Sequence, residues 1–396
     1  MAERALSGLI VLDLSKNISG PYCTKLLADY GATVIKIEKP RIGDSSRRAG
    51  PFPDDIPNIE KSGLFLLLNT GKKGITLNVE DNSGLDILKR LVKQADILIE
   101  NSKPGKMKKL GLDYERLSET NPSLIMASIS YFGQTGPYRN WNGSDIVAQA
   151  MGGLMHLTGV PNREPLKLPL SQAEYQAGLN AAVAVLCAVY YRDTSGEGQH
   201  IDISVQEAVA SILEGAIGTY SYSGRILNRT GAQHRYKCPS TIMEARDGYV
   251  HIESSAYWDH FAAMVDAPEL LQPHLSSITR YRHTDKVENA IQPWVEGHTA
   301  EEIFAIGQEW RIPVAKVMGI EEIDDDPQHE SRYYFHDIDH PAAGRRRYPG
   351  APFCMSGTPA DVKRAPLLGE HNFEIYRGML GLGRDELAGL KERNVI

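Results

Sequence analysis

The hydrophobic positions at the beginning of the chain form short apolar runs separated by an amphipathic stretch. Residues 8–14 (GLIVLDL) are a nearly continuous apolar run, which is typical of a buried strand. An amphipathic stretch at 22–30 follows, and Gly31 closes it as a helix C-cap. Residues 33–38 (TVIKIE) predict a second strand. A strand, a helix and a strand within about 30 residues favour a parallel sheet.

The same alternation continues through the first half of the chain. It predicts a helix at 81–94, strands at 96–100, 124–131 and 200–205, and a long helix at 175–192. Small and apolar residues fill the long helix, so we expect it to be buried on most sides. This half of the sequence therefore predicts an α/β fold.

The pattern changes after about residue 215. A turn at 246–248 (RDG) separates two β-rich runs and predicts a hairpin, and helices are expected near 257–265 and 300–309. Residues 228–330 are therefore interpreted as a smaller α+β domain.

Two linkers are expected around this smaller domain, at 216–227 and 331–334. Residues 324–347 are rich in charge, proline and histidine, which predicts a connector. A helix is expected after the segment 364–371, at the end of the chain.

Length and composition restrict the function. A chain of 396 residues is too long for one core, and a net charge of −7 argues against a nucleic-acid partner. The four cysteines are far apart, so no disulfide framework and no metal site are expected. Asp13 interrupts the only early apolar run, so no signal peptide is expected. The longest apolar stretch, 181–191, is shorter than the roughly 20 residues that span a membrane, and we expect a cytoplasmic protein.

Two carboxylates are candidates for chemistry. Glu174 lies at the start of the long helix, where a carboxylate is costly unless it is solvated, hydrogen-bonded or used. A helix N-terminus also favours negative charge without any function. Asp145 precedes a shorter helix-like run and fits the role of an N-cap as well as that of a site residue.

Basic residues follow the ends of several predicted strands. The turn after the first strand, at 15–21, lacks the glycine pattern of dinucleotide sites, so NAD binding is not expected. Ligands of open α/β sheets bind outside the carboxyl ends of the strands. The basic residues therefore predict a site for phosphate groups, and solvated surface lysines are the alternative. They are Lys39, Arg41, Lys72, Lys73, Lys106, Lys108 and Lys109.

A series of ordered motifs carries a family resemblance over nearly the whole chain. Among them are LDLS at 12–15, GATVIKIE at 31–38, DIVAQ at 145–149, GEGQ at 196–199 and APLLGEH at 365–371. The chain resembles the family III CoA-transferases, the group of formyl-CoA, carnitine and bile-acid CoA-transferases. The resemblance implies a Rossmann-like large domain formed by 1–215 and 335–396, together with the smaller domain. It also implies a homodimer of two interlinked, ring-like subunits.

The resemblance implies a reaction as well. An aspartate of the family attacks an acyl-CoA and then carries CoA as a thioester, and its position falls on Glu174 here. The expected enzyme is an acyl-CoA:carboxylate CoA-transferase with Glu174 as nucleophile, Asp145 near it, coenzyme A as the carried group and no metal. Its partners are an acyl-CoA and a carboxylic acid, with no nucleic acid and no membrane.

The resemblance further implies a set of residues that contact CoA. Lysines replace family arginines at 39 and 109, and Glu80 stands where a basic contact is expected. Ile18 occupies the position of a family glutamine, which predicts a more apolar site. The expected CoA contacts are Lys16, Asn17, Ser19, Lys39, Leu77, Asn101 and Lys109.

Other functions remain open on the same fold. An α-methylacyl-CoA racemase requires a histidine before the Asp145 motif, where this chain has Ser144. A CoA-thioester lyase, hydratase or hydrolase would use Glu174 as a general base. A protein that only binds acyl-CoA is the non-enzymatic alternative.

Overall fold

The computed structural model describes residues 4–213, 215–254 and 257–396, and strands and helices alternate through its first half. The strands are Ile10–Asp13 (β1), Thr33–Glu38 (β2), Lys73–Thr76 (β3), Ile97–Glu100 (β4), Ile125–Ser130 (β5), Gln199–Ser204 (β6), Ser240–Glu244 (β7), Tyr249–Glu253 (β8), Val314–Lys316 (β9), Phe335–His340 (β10) and Gly344–Pro349 (β11).

The α-helices vary from one turn to almost seven. They are Ser19–Asp29 (α1), Gly63–Leu68 (α2), Asn82–Val92 (α3), Lys106–Leu110 (α4), Tyr114–Thr120 (α5), Asp145–Met151 (α6), Leu154–Leu157 (α7), Gln172–Ser195 (α8), Val205–Ala210 (α9), Ala216–Ser223 (α10), Trp258–Met264 (α11), Pro273–Ser276 (α12), Thr284–Glu296 (α13), Ala300–Glu309 (α14), Ile320–Asp324 (α15), Pro327–Ser331 (α16), Asn372–Leu380 (α17) and Arg384–Glu392 (α18). Short 3₁₀ helices lie at Ser45–Arg48, Pro53–Asp55, Pro268–Leu271 and Ile278–His283.

A parallel sheet of six strands has the order β3-β2-β1-β4-β5-β6. Val11 pairs with Val34 on one side and with Ile97 on the other. The predicted α/β fold is therefore confirmed. The strand order reverses between β1 and β4, and a reversal of this kind opens a crevice for a ligand at the carboxyl ends of the strands.

Helices cover both faces of this sheet. Alternate residues of β1 point to opposite faces, so that Val11 joins a core with α1 and α8, and Leu12 joins a core with α3, α17 and α18. Burial on both faces explains why these strands are continuous apolar runs in the sequence.

The long helix α8 is buried on one side only. Its small residues, such as Ala177, pack in the core, and a Cβ added at Gly178 would lie 2.5 Å from the backbone oxygen of Ser19. Val183 and Tyr190, on the opposite side, are exposed in the single chain. The prediction that this helix is buried on most sides is therefore wrong for one chain, because only one side of the helix, made mostly of alanine, approaches the core.

The chain divides into two compact units. One contains the stretch that ends at Leu154 together with Lys167–Ile217 and Gln328–Ile396, and the other contains Met155–Leu166 and Gly218–Pro327. In the second unit, β7, β8 and β9 form an antiparallel sheet, which confirms the predicted hairpin. The predicted domain boundaries and the interlinked dimer stay predictions.

Two expectations near the end of the chain are corrected. The predicted connector at 324–347 contains α16 and most of an antiparallel hairpin of β10 and β11. The sequence of β10 does not show the apolar alternation typical of a strand, because most of its side chains are charged or histidine. The final helix is a pair, α17 and α18, which Gly381 separates in a left-handed conformation with φ of 69°.

The C-terminal segment completes the first unit. The hydroxyl of Tyr376 donates a hydrogen bond to the backbone oxygen of Thr76 at 2.6 Å. The backbone N–H of Asn78 donates to the oxygen of Val395 at 2.8 Å. The C-terminal segment therefore packs onto the end of β3 and the residues that follow it.

Candidate active site

The turn between β1 and α1 lies at the reversal of strand order. The backbone N–H of Lys16 donates to Asn101 Oδ1 at 2.8 Å, and Asn101 Nδ2 donates back to the oxygen of Lys16 at 2.7 Å. Asn17 has a positive φ of 67°, a conformation that asparagine tolerates better than most residues. The reciprocal hydrogen bonds connect the carboxyl ends of β1 and β4 across the crevice.

A buried ion pair of Asp44 and Lys36 stabilises this turn. The backbone N–H of Asn17 donates to Asp44 Oδ1 at 3.0 Å, and Lys36 Nζ lies 2.8 Å from Asp44 Oδ2. Burial by itself raises the pKa of Asp44, but Lys36 and these backbone hydrogen bonds bring it below its ordinary value. Asp44 is therefore a charged acceptor that fixes the left-handed turn.

Glu174 lies in the first turn of α8 with only 6% of its surface exposed. Tyr131 donates its hydroxyl hydrogen to Oε1 at 2.7 Å, and Asn17 Nδ2 donates to Oε2 at 3.4 Å. Burial raises the pKa of Glu174, while the hydrogen bonds of Tyr131, Asn17 and the Ser19 backbone oppose that rise. Glu174 is therefore a poorly hydrated carboxylate whose orientation is fixed by its hydrogen bonds.

Asp145 is the first residue of α6 and holds the backbone at Glu174. Its Oδ1 accepts the N–H of Glu174 at 3.1 Å, and its Oδ2 accepts from Gln149 Nε2 at 2.6 Å. Ser144 is the N-cap of this helix, so the alternative of an Asp145 N-cap is wrong. Asp145 is absent from the walls of the cavity described next.

A cavity of about 580 Å³ opens over the crevice. Glu174 lies in its wall, together with six of the seven predicted CoA contacts: Lys16, Asn17, Ser19, Lys39, Leu77 and Asn101. Lys109 is exposed on α4 and does not line the cavity, whereas Lys103 and Lys106, near the same helix, do. Ile18 is buried and also lies outside the walls, so Ile18 itself adds no apolar surface to this cavity.

Only some of the predicted basic residues face this cavity. Lys72 is buried, with Nζ 3.0 Å from Asp13 Oδ2, and burial lowers its pKa to about 8. Lys73 pairs with Glu374 at 2.6 Å on the surface. Neither lysine lines the cavity, so the prediction of a phosphate site is wrong for these two residues.

A further anion lies among the cavity lysines. Glu80 lines the cavity, with its oxygens 3.6 Å from Lys39 Nζ and 3.4 Å from Lys106 Nζ. These pairs are half-exposed, so each contributes little to stability. Their effect is to reduce the positive charge that the cavity offers a ligand.

Sequence reasoning misses several polar residues of the cavity, among them Tyr131, Lys103 and Arg139. Tyr131 directly follows β5, and Lys103 follows β4 closely. Because ligands of such sheets bind at the carboxyl ends of the strands, the positions of these two residues in the sequence are a signal that could have identified them. Arg139 lies in the loop before α6 and carries no sequence signal for this location.

Comparisons with known proteins identify the family of this chain. The sequence matches the family described as CoA-transferase family III over residues 6–372. The chain belongs to this family. A solved structure of a CAIB/BAIF family protein from Brucella suis has a TM-score of 0.86 at 29% identity and covers 95% of this chain and 100% of its own.

Relatives with named activities match this family III chain over nearly their whole length. Succinyl-CoA–D-citramalate CoA-transferase of Chloroflexus aurantiacus is 34% identical over 99% of this chain and 98% of its own. Succinyl-CoA:mesaconate CoA-transferase of Haloarcula hispanica is 35% identical over 94% and 95%, respectively. Formyl-CoA:oxalate CoA-transferase of Streptomyces coelicolor is 32% identical over 100% of both chains. The family predicted from the sequence is confirmed.

Within residues 4–213, 215–254 and 257–396, there is no group of three or more His, Cys, Asp or Glu side chains that could hold a metal ion. The helices in those ranges include none with the length and apolar character needed to cross a bilayer.

Proposed function

We propose that this family III enzyme moves CoA from an acyl-CoA donor to a carboxylic acid through a thioester on Glu174. Transfer of CoA and the enzyme class follow from the family and from its named relatives. The observation that carries the role of Glu174 is a buried carboxylate in the wall of the cavity, with both oxygens hydrogen-bonded.

The chemistry uses the carboxylate as a nucleophile. One oxygen of Glu174 attacks the thioester carbon of the donor, and the C–S bond breaks to release CoA as a thiolate. The thiolate attacks Cδ of Glu174, and the donor leaves as a free carboxylate. An acceptor carboxylate then attacks the same Cδ, and the returning thiolate takes its acyl group. Charge is conserved at each step, and Glu174 is regenerated.

Coenzyme A fits the charge and polarity of the cavity. Lysines at its rim suit the phosphates, and the turn at Lys16 and Asn17 and the amide of Asn101 offer hydrogen-bonding groups nearer Glu174. Binding energy from this remote part of the donor helps to drive the attack of a weak nucleophile. We include Lys109 as a peripheral contact because it shares α4 with Lys106.

The proposed donor is succinyl-CoA, and the proposed acceptor is a small dicarboxylic acid. Two relatives are named for succinyl-CoA, and D-citramalate, mesaconate and oxalate are all dicarboxylic acids. Arg139 and Lys103 in the cavity wall would favour a second carboxylate. An interlinked homodimer and a cytoplasmic location belong to the same proposal.

Peptide mass spectrometry after incubation with succinyl-CoA tests the nucleophile. We expect a CoA thioester on the peptide that contains Glu174, no adduct and no transfer in Glu174→Ala, and partial activity in Glu174→Asp because the shorter side chain reaches less far. Glu164→Ala, an exposed glutamate, is the control. Unchanged turnover in Glu174→Ala would contradict the proposal. Turnover of succinyl-CoA without any acceptor acid would instead favour a hydrolase or lyase with Glu174 as a general base.

A further inference from the structure

Tyr131 holds a fixed position beside the proposed nucleophile. It directly follows β5, and its backbone oxygen accepts the N–H of Gln206 at 3.1 Å, at the start of α9. Its ring packs against the core under α8, and Gly143 lies so close to it that a Cβ there would collide with the ring. Contacts with separate segments therefore fix the direction in which its hydroxyl points.

The two oxygens of Glu174 have different surroundings. Oε1 accepts the Tyr131 hydroxyl at 2.7 Å, an ordinary distance for a strong O–H···O bond. Oε2 accepts from Asn17 Nδ2 at 3.4 Å, near the upper limit for a hydrogen bond. Oε2 is therefore the less restrained oxygen and the better nucleophile, while Oε1 stays with Tyr131.

We propose that Tyr131 is a catalytic residue whose hydroxyl stabilises the negative charge that forms on Oε1 when Cδ of Glu174 is attacked. This inference rests on the proposed function of Glu174. It assigns to a side chain the task that backbone amides perform in many acyl-transfer enzymes.

The charge on Oε1 changes in a defined sequence. Once Oε2 has attacked the donor, Oε1 is the neutral carbonyl oxygen of an anhydride. Addition of the CoA thiolate to Cδ moves the carbonyl electron pair onto Oε1, and its collapse expels the donor carboxylate with Oε2. Addition of the acceptor carboxylate to the thioester places a full negative charge on Oε1 again, and its collapse expels the thiolate. The hydrogen bond is strongest in these two tetrahedral species, so it accelerates the reaction.

Tyr131 donates its hydrogen bond without losing its proton. Burial and the neighbouring negative charge of Glu174 keep its pKa above the ordinary value of 10.0. The phenol therefore stays neutral across the working range, and no proton transfer has to be balanced in either half-reaction.

Tyr131→Phe tests the inference, because it removes one oxygen and retains the ring. We expect kcat to fall by ~10²–10³-fold, as after loss of one oxyanion donor, with little change in the KM for acyl-CoA. The CoA thioester on Glu174 should form more slowly by a similar factor. Tyr175→Phe is the matched control, since this neighbouring tyrosine packs its ring on Tyr22 and does not line the cavity.

The pH profile distinguishes catalysis from a purely structural role. The Tyr131 hydrogen bond lowers the pKa of Glu174, so Tyr131→Phe should move the acidic limb of kcat/KM to higher pH. Replacement of Tyr131 by fluorotyrosine keeps a donor and should restore most of the rate. The fluorotyrosine variant retains the shape of the wild-type side chain. Its rate therefore still tests the role of the hydroxyl if the phenylalanine variant folds poorly.

The outcomes separate the two proposals. An adduct that forms at the wild-type rate in Tyr131→Phe overturns the role of Tyr131 and leaves Glu174 as the nucleophile. Absence of the adduct in the wild-type enzyme overturns the nucleophile instead. A slow adduct in Tyr131→Phe, with normal rates in Tyr175→Phe, supports both proposals.

Discussion

At the scale of single residues, Glu174 lies in an environment that disfavours its charged form. Its burial raises its pKa from the ordinary value of 4.5, so the folded protein binds a proton there more readily than the unfolded chain does. Stability therefore falls as pH rises from 4.5 through the raised pKa. Above that window, the folded state carries the full cost of the buried charge.

We therefore expect Glu174→Gln to make the protein more stable while it abolishes transfer. The amide keeps the shape of the side chain and cannot ionise, so the gain in melting temperature should be largest above the raised pKa of Glu174. It should shrink as the pH approaches 4.5. Thermal unfolding of both proteins across this range measures the effect. A glutamine variant that is less stable at neutral pH would mean that the hydrogen bonds of the carboxylate outweigh its desolvation.

A second prediction concerns Glu80, the anion among the cavity lysines. Glu80→Gln frees Lys39 and Lys106 from a competing carboxylate, and exposed pairs are worth at most ~1 kcal/mol. The KM for acyl-CoA should therefore fall by roughly two- to fivefold, with kcat unchanged. The gain should disappear at high salt, because the charges are exposed. An unchanged or higher KM at low salt would contradict a role for these lysines in binding phosphate.

The sequence identifies site residues best where a motif or a strand end marks them. Glu174 and Asn101 both line or frame the cavity, and each lies in a segment that resembles the family. Asp145 contacts the backbone of Glu174 and does not line the cavity, which no spacing reveals. Lys72 and Lys109 illustrate the main difficulty, because the direction of a side chain depends on its partners in the folded chain.

At the scale of elements, the contact of α1 with α8 places Glu174, the proposed nucleophile, beside the turn that contains its hydrogen-bond donor Asn17. Gly178 permits this contact, because a side chain there would meet the Ser19 oxygen at 2.5 Å. Gly178→Ala should therefore force the helices apart and destabilise the protein by about 1–3 kcal/mol. Activity should fall as well, since Asn17 and Glu174 would separate.

Gly389 provides the control for this prediction. It lies within α18, and nothing approaches a Cβ added there within 4 Å. Gly389→Ala should stabilise the protein by about 0.5–1 kcal/mol, because it only restricts the unfolded chain. Denaturant unfolding of the two variants should thus give shifts of opposite sign. A stabilised Gly178→Ala would contradict the importance of the close contact.

The elements that the sequence predicts best are those whose burial is uniform. The strands β2 and β4 are buried on both faces, and their bounds differ from the predicted ones by at most one residue. The helix α14 also begins and ends as predicted, with a capping box at Thr299 and Glu302. The hairpin of β10 and β11 escapes prediction because its arginine, aspartate and histidine side chains show no apolar alternation.

At the scale of the whole molecule, the exposed side of α8 is the feature that best supports the proposed homodimer. Leu179, Val183 and Tyr190 form an apolar stripe on this helix, and monomeric proteins rarely expose large apolar patches. The proposed homodimer would cover this stripe. The hydrophobic periodicity of the sequence does not indicate whether the apolar residues of α8 pack within one chain or against a second copy.

Val183→Glu tests this idea, because it places a charge in the middle of the stripe. In light scattering we expect the wild type to be a dimer and the variant to be a monomer, since burial of an unpaired charge is costly. Val317→Glu is the control, because Val317 is 53% exposed and Val183 is 55% exposed. A wild-type monomer, or a Val183→Glu variant that stays dimeric, would exclude this helix face from the contact between subunits.

The hydrogen bond between Asn78 and Val395 has a consequence for the order of events during synthesis. Asn78 lines the cavity, and its backbone partner leaves the ribosome roughly 20–60 s later at ordinary rates of translation. The nascent chain therefore exposes the apolar residues of β3 and α3 while the whole second unit is made. We expect such a chain to depend on chaperones during this interval and to gain its affinity for CoA only after release from the ribosome.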